Sequence, residues 1–374
     1  MKYYIIAGEA SGDLHASNLM AAIKKNDPAA GFRCWGGDLM KAQGGEIVKH
    51  IREISFMGFA EVLSHLRTIL RNIRFCKSDI DRYNPDALIL VDYPGFNLKI
   101  AAYARQKGYK IIYYVSPQIW AWKQSRVHSI KKNVDKMLVI LPFEKEFYKR
   151  FNYEADFVGH PLLDAIDNYK NNSNSAQFRK ENNLGEQPVV ALLPGSRKQE
   201  ITRMLKMMVS VCDDFKEVQF VIAGAPSINP GFYSELLHGK EVKIVYNKTY
   251  DLLQNAAAAL VTSGTATLET ALFDVPEVVC YKGSWFSYFI ARLVIKVKYI
   301  SLVNLIMDKK IVTELIQSEL TKANLIAQLR QLLYSTQHIA QLKSDYALLK
   351  HKLGDRGASA KAAAVINTYL KSGQ

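Results

Sequence analysis

Short apolar runs that end in turn residues alternate along this chain with longer segments of helical periodicity, and this alternation limits the fold more than any other feature. The runs are Tyr3–Ala7, Gly31–Trp35, Ala87–Val91, Lys110–Val115 and Lys136–Ile140, then Val189–Leu193, Val218–Ala223, Lys243–Val245, Ala258–Val261 and Val278–Tyr281. Strands buried on both faces read as near-continuous apolar runs, and helices between them imply parallel sheets covered on both sides. The two series are separated by Asp167-Asn168-Tyr169-Lys170-Asn171-Asn172-Ser173-Asn174-Ser175, a polar stretch suited to a linker or surface loop. A length of 374 residues also favours two domains. The predicted architecture is α/β, with two Rossmann-like doubly wound domains facing a cleft. The expected boundaries are 1–165 for the first domain, 166–186 for a linker region, 187–345 for the second domain and 346–374 for a C-terminal helical segment.

In such sheets, ligands gather beyond the carboxyl ends of the strands. The run Val189–Leu193 feeds Pro194-Gly195-Ser196-Arg197-Lys198, a turn that delivers a hydroxyl and two cations to that edge. Ser263, Gly264 and Thr265 follow Ala258–Val261 and open a helix with small residues. The free N–H groups and positive dipole end of its first turn suit a phosphate. Glu269 lies one turn further on. A carboxylate beside a phosphate is repulsive unless it serves another partner, and the vicinal hydroxyls of a ribose are the usual one. The combination points to a nucleoside diphosphate; for Arg197 the plainer alternative is a surface ion pair.

The first half differs. Gly8-Glu9-Ala10-Ser11-Gly12-Asp13 occupies the place of a dinucleotide loop without its glycine spacing, and its two carboxylates would repel a pyrophosphate. Ser11, Gly12 and Asp13 therefore suit hydroxyl groups or a sugar, with a simple helix cap as the alternative. Asp92 ends the run Ala87–Val91 before Tyr93-Pro94-Gly95, where a carboxylate could take a proton from an attacking hydroxyl or merely close an Asx-turn. Phe59, Val62, Leu63, Leu66, Ile69 and Leu70 form an apolar stripe after Met57-Gly58, interleaved with Arg67, Arg71 and Arg74. Such a stripe is either core or a basic amphipathic helix on an anionic membrane surface. Trp120 and Trp122 either pack between domains or line a site for an apolar part of a substrate. Asp79-Ile80-Asp81 has the acid-x-acid form of a metal pair, but falls within a helical, arginine-rich stretch and reads as a solvated face. The histidines show no ligand spacing, and neither a metal nor a cofactor is expected.

A net charge of +14 favours polyanionic partners. Zinc-finger spacing, an aromatic RNA-binding signature and a heptad-linked basic region are all missing, so nucleic acid is not the expected partner. Cys34, Cys76, Cys212 and Cys280 are far apart, which fits a reducing cytoplasm. The start, Met1 to Ala7 followed by Glu9 and Asp13, is too short and acidic for a signal peptide. Arg292, Lys296 and Lys298 interrupt the most apolar region, Trp285 to Met307, so no membrane span is expected.

The motifs together resemble the lipid-A-disaccharide synthases, a family of inverting GT-B glycosyltransferases. The likeness runs almost end to end. It is carried by Ala7 to Asp13, Met57 to Leu63, Tyr114 to Pro117 with Trp120-Ala121-Trp122, Leu141 to Glu144, Val158 to Pro161, Leu193 to Arg197 and Ser263 to Glu269. The resemblance implies the joining of UDP-2,3-diacylglucosamine to 2,3-diacylglucosamine 1-phosphate, giving the β-1,6-linked lipid A disaccharide 1-phosphate and UDP. The UDP-sugar is then a substrate, not a cofactor. It also implies peripheral attachment to the cytoplasmic face of an anionic Gram-negative inner membrane; a homo-oligomer is left open. By the same likeness Asp92 is the general base, Arg197 acts at the donor diphosphate with Gly195, Ser196, Ser263, Gly264 and Thr265, and Glu269 holds the ribose. The segment Ser301 to Leu305 brings Asn304 near the nucleotide, although Val303 stands where many members carry proline. The acceptor and acyl side is expected to draw on Ser11, Gly12, Asp13, Met57, Phe59, Trp120 and Trp122. Two alternatives remain at this stage: a UDP-sugar 2-epimerase of the same fold, and a non-enzymatic basic membrane-binding protein.

Overall fold

The computed structural model describes residues 1–54, 66–172, 174–283 and 297–372. It divides into two compact units, Met1–Pro161 with Leu353–Gln374, and Leu162–Lys352.

The first unit is built on a parallel sheet of β1 (Lys2–Ala7), β2 (Gly31–Gly36), β3 (Glu46–His50), β4 (Ala87–Val91), β5 (Lys110–Tyr114), β6 (Lys136–Val139) and β7 (Asp156–Phe157), in the order β3-β2-β1-β4-β5-β6-β7. Every residue of β4 and all but the first of β1 are buried, as their unbroken apolar runs require. Strand order reverses between β1 and β4, so the loops that leave Ala7 and Val91 flank the switch point. The last helix, Ala358–Lys371, returns to this unit and packs on Ala10–Asn26. It buries Ala358, Ala362, Ala363, Ile366 and Leu370, a spacing that places them on one helical face. Residues 353–374 thus belong to the first unit.

The second unit repeats the plan with β8 (Val189–Leu193), β9 (Gln219–Gly224), β10 (Lys243–Tyr246), β11 (Ala256–Thr262), β12 (Glu277–Tyr281) and β13 (Thr313–Ile316), ordered β10-β9-β8-β11-β12-β13. Its switch point lies between β8 and β11, the two strands that feed the Pro194–Arg197 and Ser263–Thr265 turns. The polar stretch read as a linker is instead helical through Asn172, and Asn174 then caps the helix Ser175–Glu181 by accepting from the Gln177 N–H at 3.1 Å. Asn174 thus serves as a cap, a position at which asparagine is at home.

Three strands have no apolar run to announce them. β3, β7 and β13 are all sheet edges and half-exposed, so polar residues such as Glu46, Asp156 and Glu314 interrupt their pattern.

Glu277 opens β12 at only 1% exposure, and neither carboxylate oxygen has a hydrogen-bond partner. Burial, and then the charge of Glu314, push its pKa well above the ordinary 4.5. Below that ordinary value the carboxyl is protonated in folded and unfolded chains alike. As pH rises beyond it the unfolded chain ionises while the folded one does not, so stability falls until the folded value is reached. Glu277→Gln should therefore gain stability over wild type by an amount that grows with pH above about 4.5, read from urea unfolding between pH 4 and 8. A difference constant across that range would place the ionisation elsewhere.

Candidate active site

In the first unit the backbone at the switch point is strained. Asp92 and Tyr93 both take left-handed φ, +44° and +49°, immediately before the helix Pro94–Gln106. Non-glycine residues held in uncommon backbone regions cost about 1–3 kcal/mol each and need surrounding bonds to hold them. These bonds are present. The Asp92 carbonyl accepts from Asn97 Nδ2 at 2.8 Å and from the Tyr113 hydroxyl at 2.5 Å, and its N–H donates to the carbonyls of Tyr114 and Val115 at 3.3 Å. Tyr93 in turn packs on Gly8, where a Cβ would come within 2.3 Å of its ring. The loop after β1 thus needs glycine for close approach.

With its main chain fastened, the Asp92 side chain is left at the sheet edge. Burial, and then the charge of Glu9, raise its pKa to about 7, opposed by a hydrogen bond from the Tyr93 N–H. A carboxylate of that basicity suits proton removal near neutral pH. The sequence marks Glu9 only as one of two loop carboxylates, with no link to Asp92. Only the pairing of β1 with β4 brings it beside Asp92.

The other acceptor-side residues separate. The Asp13 carboxylate accepts from the N–H groups of Gly37 (2.7 Å), Leu39 (3.1 Å) and Met40 (3.2 Å), which ties it to the start of the helix Asp38–Ala42. It is therefore a buried cap on another element, not an open ligand. Gly12 is buried against β1, where a Cβ would sit 3.2 Å from that of Ala7. Ser11 stays exposed and donates to Glu9 at 2.8 Å. Trp120 is also turned inward: its Nε1 donates to Glu144 at 3.1 Å and its ring meets Phe143 edge-on. Glu144, fully buried, has its pKa raised by burial to about 8. Trp122 is 48% exposed, with Lys123 and Arg126 over its ring at 5.8 and 5.3 Å. Met57 and Phe59 lie outside the described residues. Asp79 and Asp81 do not form a pair, since Asp79 is buried on Arg33 and Tyr4 while Asp81 accepts from Tyr103.

In the second unit Gly195 takes φ +108°, and a Cβ there would lie 2.8 Å from Glu200 Oε2. The turn therefore requires glycine. Arg197 is the N-cap residue of the helix Lys198–Val209, with an extended backbone that leaves its side chain 61% exposed and 3.4 Å from Glu200. Glu200 also accepts from the Ser196 N–H at 3.3 Å, so a carboxylate rests at the amides of the turn. Gly264 caps Thr265–Leu272 at φ +154° with open space around it and no side-chain cap. Ser263 is held by its N–H to Cys280 (3.2 Å) and its hydroxyl to Ile300 (2.9 Å). These features put an uncapped helix start and an exposed guanidinium on turns that leave neighbouring strands, groups of the kind that suit phosphates.

Glu269 accepts from the Tyr250 hydroxyl at 2.8 Å, and burial raises its pKa. Tyr250 packs on Tyr169 and Phe273; its role as the acid's holder had no signal in sequence. Asn304 is fully engaged inside the unit. Its Nδ2 donates to Val312 and Glu314 at 2.9 Å, and its Oδ1 accepts from Ile311 (2.7 Å) and Val312 (3.0 Å). Glu314 accepts from the N–H groups of Ile300 and Ser301. Asn304 therefore reaches Ser263 only through Glu314 and Ile300, and supports the turn without an amide free for a ligand. Val303 is completely buried here.

Two doubly wound units of this kind make up the frame of GT-B enzymes, a class shared by glycosyltransferases and UDP-sugar 2-epimerases. Among solved structures, UDP-GlcNAc 2-epimerase from Neisseria meningitidis bound to UDP-GlcNAc aligns with TM-score 0.68 at 11% identity, covering 99% of this chain and 100% of that one. The glycotransferase of kitacinnamycin aligns with TM-score 0.66 at 14% identity, covering 98% of each. At such identities the likeness concerns fold alone. The sequence comparisons decide between the two. A family model for lipid-A-disaccharide synthetase matches residues 3–366. The lipid-A-disaccharide synthase of Syntrophus aciditrophicus (strain SB) is 37% identical, over 98% of this chain and 97% of its own. That of Myxococcus xanthus (strain DK1622) is 36% identical, over 99% and 98%. The chain belongs to the lipid-A-disaccharide synthase family, whose members are glycosyltransferases that form the lipid A disaccharide.

Proposed function

We propose that the chain transfers the glucosaminyl group of UDP-2,3-diacylglucosamine to the 6-hydroxyl of 2,3-diacylglucosamine 1-phosphate, with inversion at the anomeric carbon. The observation that carries this reading is Asp92, a carboxylate with pKa raised to about 7 on a strained, fully braced backbone at a switch point. In the proposed step Asp92 takes the proton of the acceptor hydroxyl, whose oxygen forms the new bond to the anomeric carbon. The bond from that carbon to the diphosphate breaks, and UDP leaves with the electron pair. Arg197 and the N–H groups at the start of Thr265–Leu272 stabilise the departing charge. Glu269, held by Tyr250, receives the ribose hydroxyls.

The test is an assay with both diacyl substrates, read by mass spectrometry for UDP and a β-1,6 disaccharide. UDP release with no disaccharide, or C2 inversion of a UDP-sugar without acceptor, would refute the reading.

Membrane attachment is part of the same proposal. No helix among the described residues is long and apolar enough to cross a bilayer. The helix Leu66–Tyr83 exposes Leu70 (43%) and Phe75 (41%) together with Arg67, Arg71 and Arg74. That surface suits the cytoplasmic leaflet of an anionic inner membrane, each basic residue adding about 1 kcal/mol near it. Arg71→Glu combined with Arg74→Glu should strongly weaken co-sedimentation with anionic vesicles, and unchanged binding would move the contact elsewhere.

A further inference from the structure

Gln317 carries two local costs in one residue. It follows β13 with a left-handed φ of +52°, and it is only 6% exposed with Nε2 lacking any hydrogen-bond partner. Glycine would relieve the backbone, and an apolar side chain would remove the buried, unpaired donor. A residue that keeps both costs at a sheet's carboxyl edge is better explained by a ligand than by packing.

Sheet order shows which ligand. β8, β11, β12 and β13 are consecutive parallel neighbours, so the segments that leave them lie in a row: Gly195–Arg197, Ser263–Gly264, Lys282–Gly283 and Gln317. Hydrogen bonds stitch the row together. The Ser263 N–H donates to Cys280 at 3.2 Å, and the Gly283 N–H donates to Gln317 Oε1 at 3.2 Å. The second bond also sets the amide's orientation, because a donor at Oε1 leaves the NH₂ as the unsatisfied end. Gln317 therefore holds a neutral donor two strands along from the phosphate turn after β11. A neutral amide adds little to a diphosphate already served by a guanidinium and helix-start amides. It matches an uncharged oxygen instead.

We propose that Gln317 Nε2 donates to an oxygen of the sugar portion of the UDP-linked donor and so distinguishes the donor from its product UDP. This rests on the reading that the second unit binds a UDP-sugar. The strained backbone aims the side chain along the sheet edge, and the Gly283 bond prevents the amide from turning away.

The experiment compares UDP with UDP-2,3-diacylglucosamine by calorimetric titration and inhibition kinetics on the full-length protein, for wild type and Gln317→Met. The variant should bind UDP within about twofold of wild type, lose about tenfold in affinity for the donor and show a raised donor KM. Unchanged donor affinity and turnover would overturn the proposal. Equal losses for UDP and donor with a lowered melting temperature would also overturn it, leaving Gln317 as loop support. If Gln317→Met does not fold, Gln317→Glu keeps an oxygen for the Gly283 N–H and loses only the donor. Its added charge acts on both diphosphates alike, so the ratio of donor to UDP affinity should still fall about tenfold; an unchanged ratio would refute the assignment. Failure of wild type to bind UDP at all would defeat the underlying reading instead, which separates the two.

Discussion

Asp92→Asn is expected to lower turnover by about 10²–10⁴-fold, the usual contribution of a positioned general base, while leaving the fold intact. The bonds that hold the strained turn involve the Asp92 main chain, whose carbonyl accepts from Asn97 and Tyr113 and whose N–H donates to Tyr114 and Val115, and asparagine keeps all of them. Asparagine also tolerates left-handed φ better than most residues. What disappears is the basic oxygen. Because the wild-type pKa is raised to about 7, kcat/KM should rise tenfold per pH unit below that value and level off above it. The residual activity of the variant should lack this limb. A variant with normal turnover and an unchanged pH profile would remove Asp92 from the proton transfer.

Arg197→Ala comes next in size, with an expected loss of about 10²–10³ in kcat, the range seen when one preorganised stabiliser of developing charge is removed. The side chain is 61% exposed and caps no amide, so its removal should not disturb the helix Lys198–Val209. UDP should bind more weakly as well, because in the proposed site the ground-state diphosphate would meet the same guanidinium. Arg197→Lys should recover only part of the loss, since an ammonium lacks the planar fork that grips two phosphate oxygens. Unchanged UDP affinity and unchanged turnover in the alanine variant would show that Arg197 is no more than the partner of Glu200.

Much of this was readable along the chain. The central strands were legible because both faces are buried, as in β4 and β8, where every position is apolar. The turns after Leu193 and Thr262 were legible because Gly195 and Gly264 take backbone angles that favour glycine. Three side chains read as facing a ligand are instead engaged within the protein, for one reason. Asp13, Trp120 and Asn304 are polar or amphipathic residues in loops and at helix starts, where a side chain turned to a ligand and one turned to the protein look the same in sequence. Partners at Gly37, Glu144 and Val312, between 8 and 24 positions away, settle their direction.

The sequence by itself determined where the central strands end and which residues arrive at their carboxyl ends, since apolar periodicity and turn chemistry act over a few neighbouring residues. Only the tertiary structure decided which of these ends lie side by side. The pairing of β1 with β4 buries Asp92 and sets Glu9 near it, which together raise its pKa, and the pairing of β12 with β13 brings Gln317 into line with the Ser263–Thr265 turn. Sheet order depends on contacts between segments tens of residues apart, and the burial and charge that tune a side chain follow from that order.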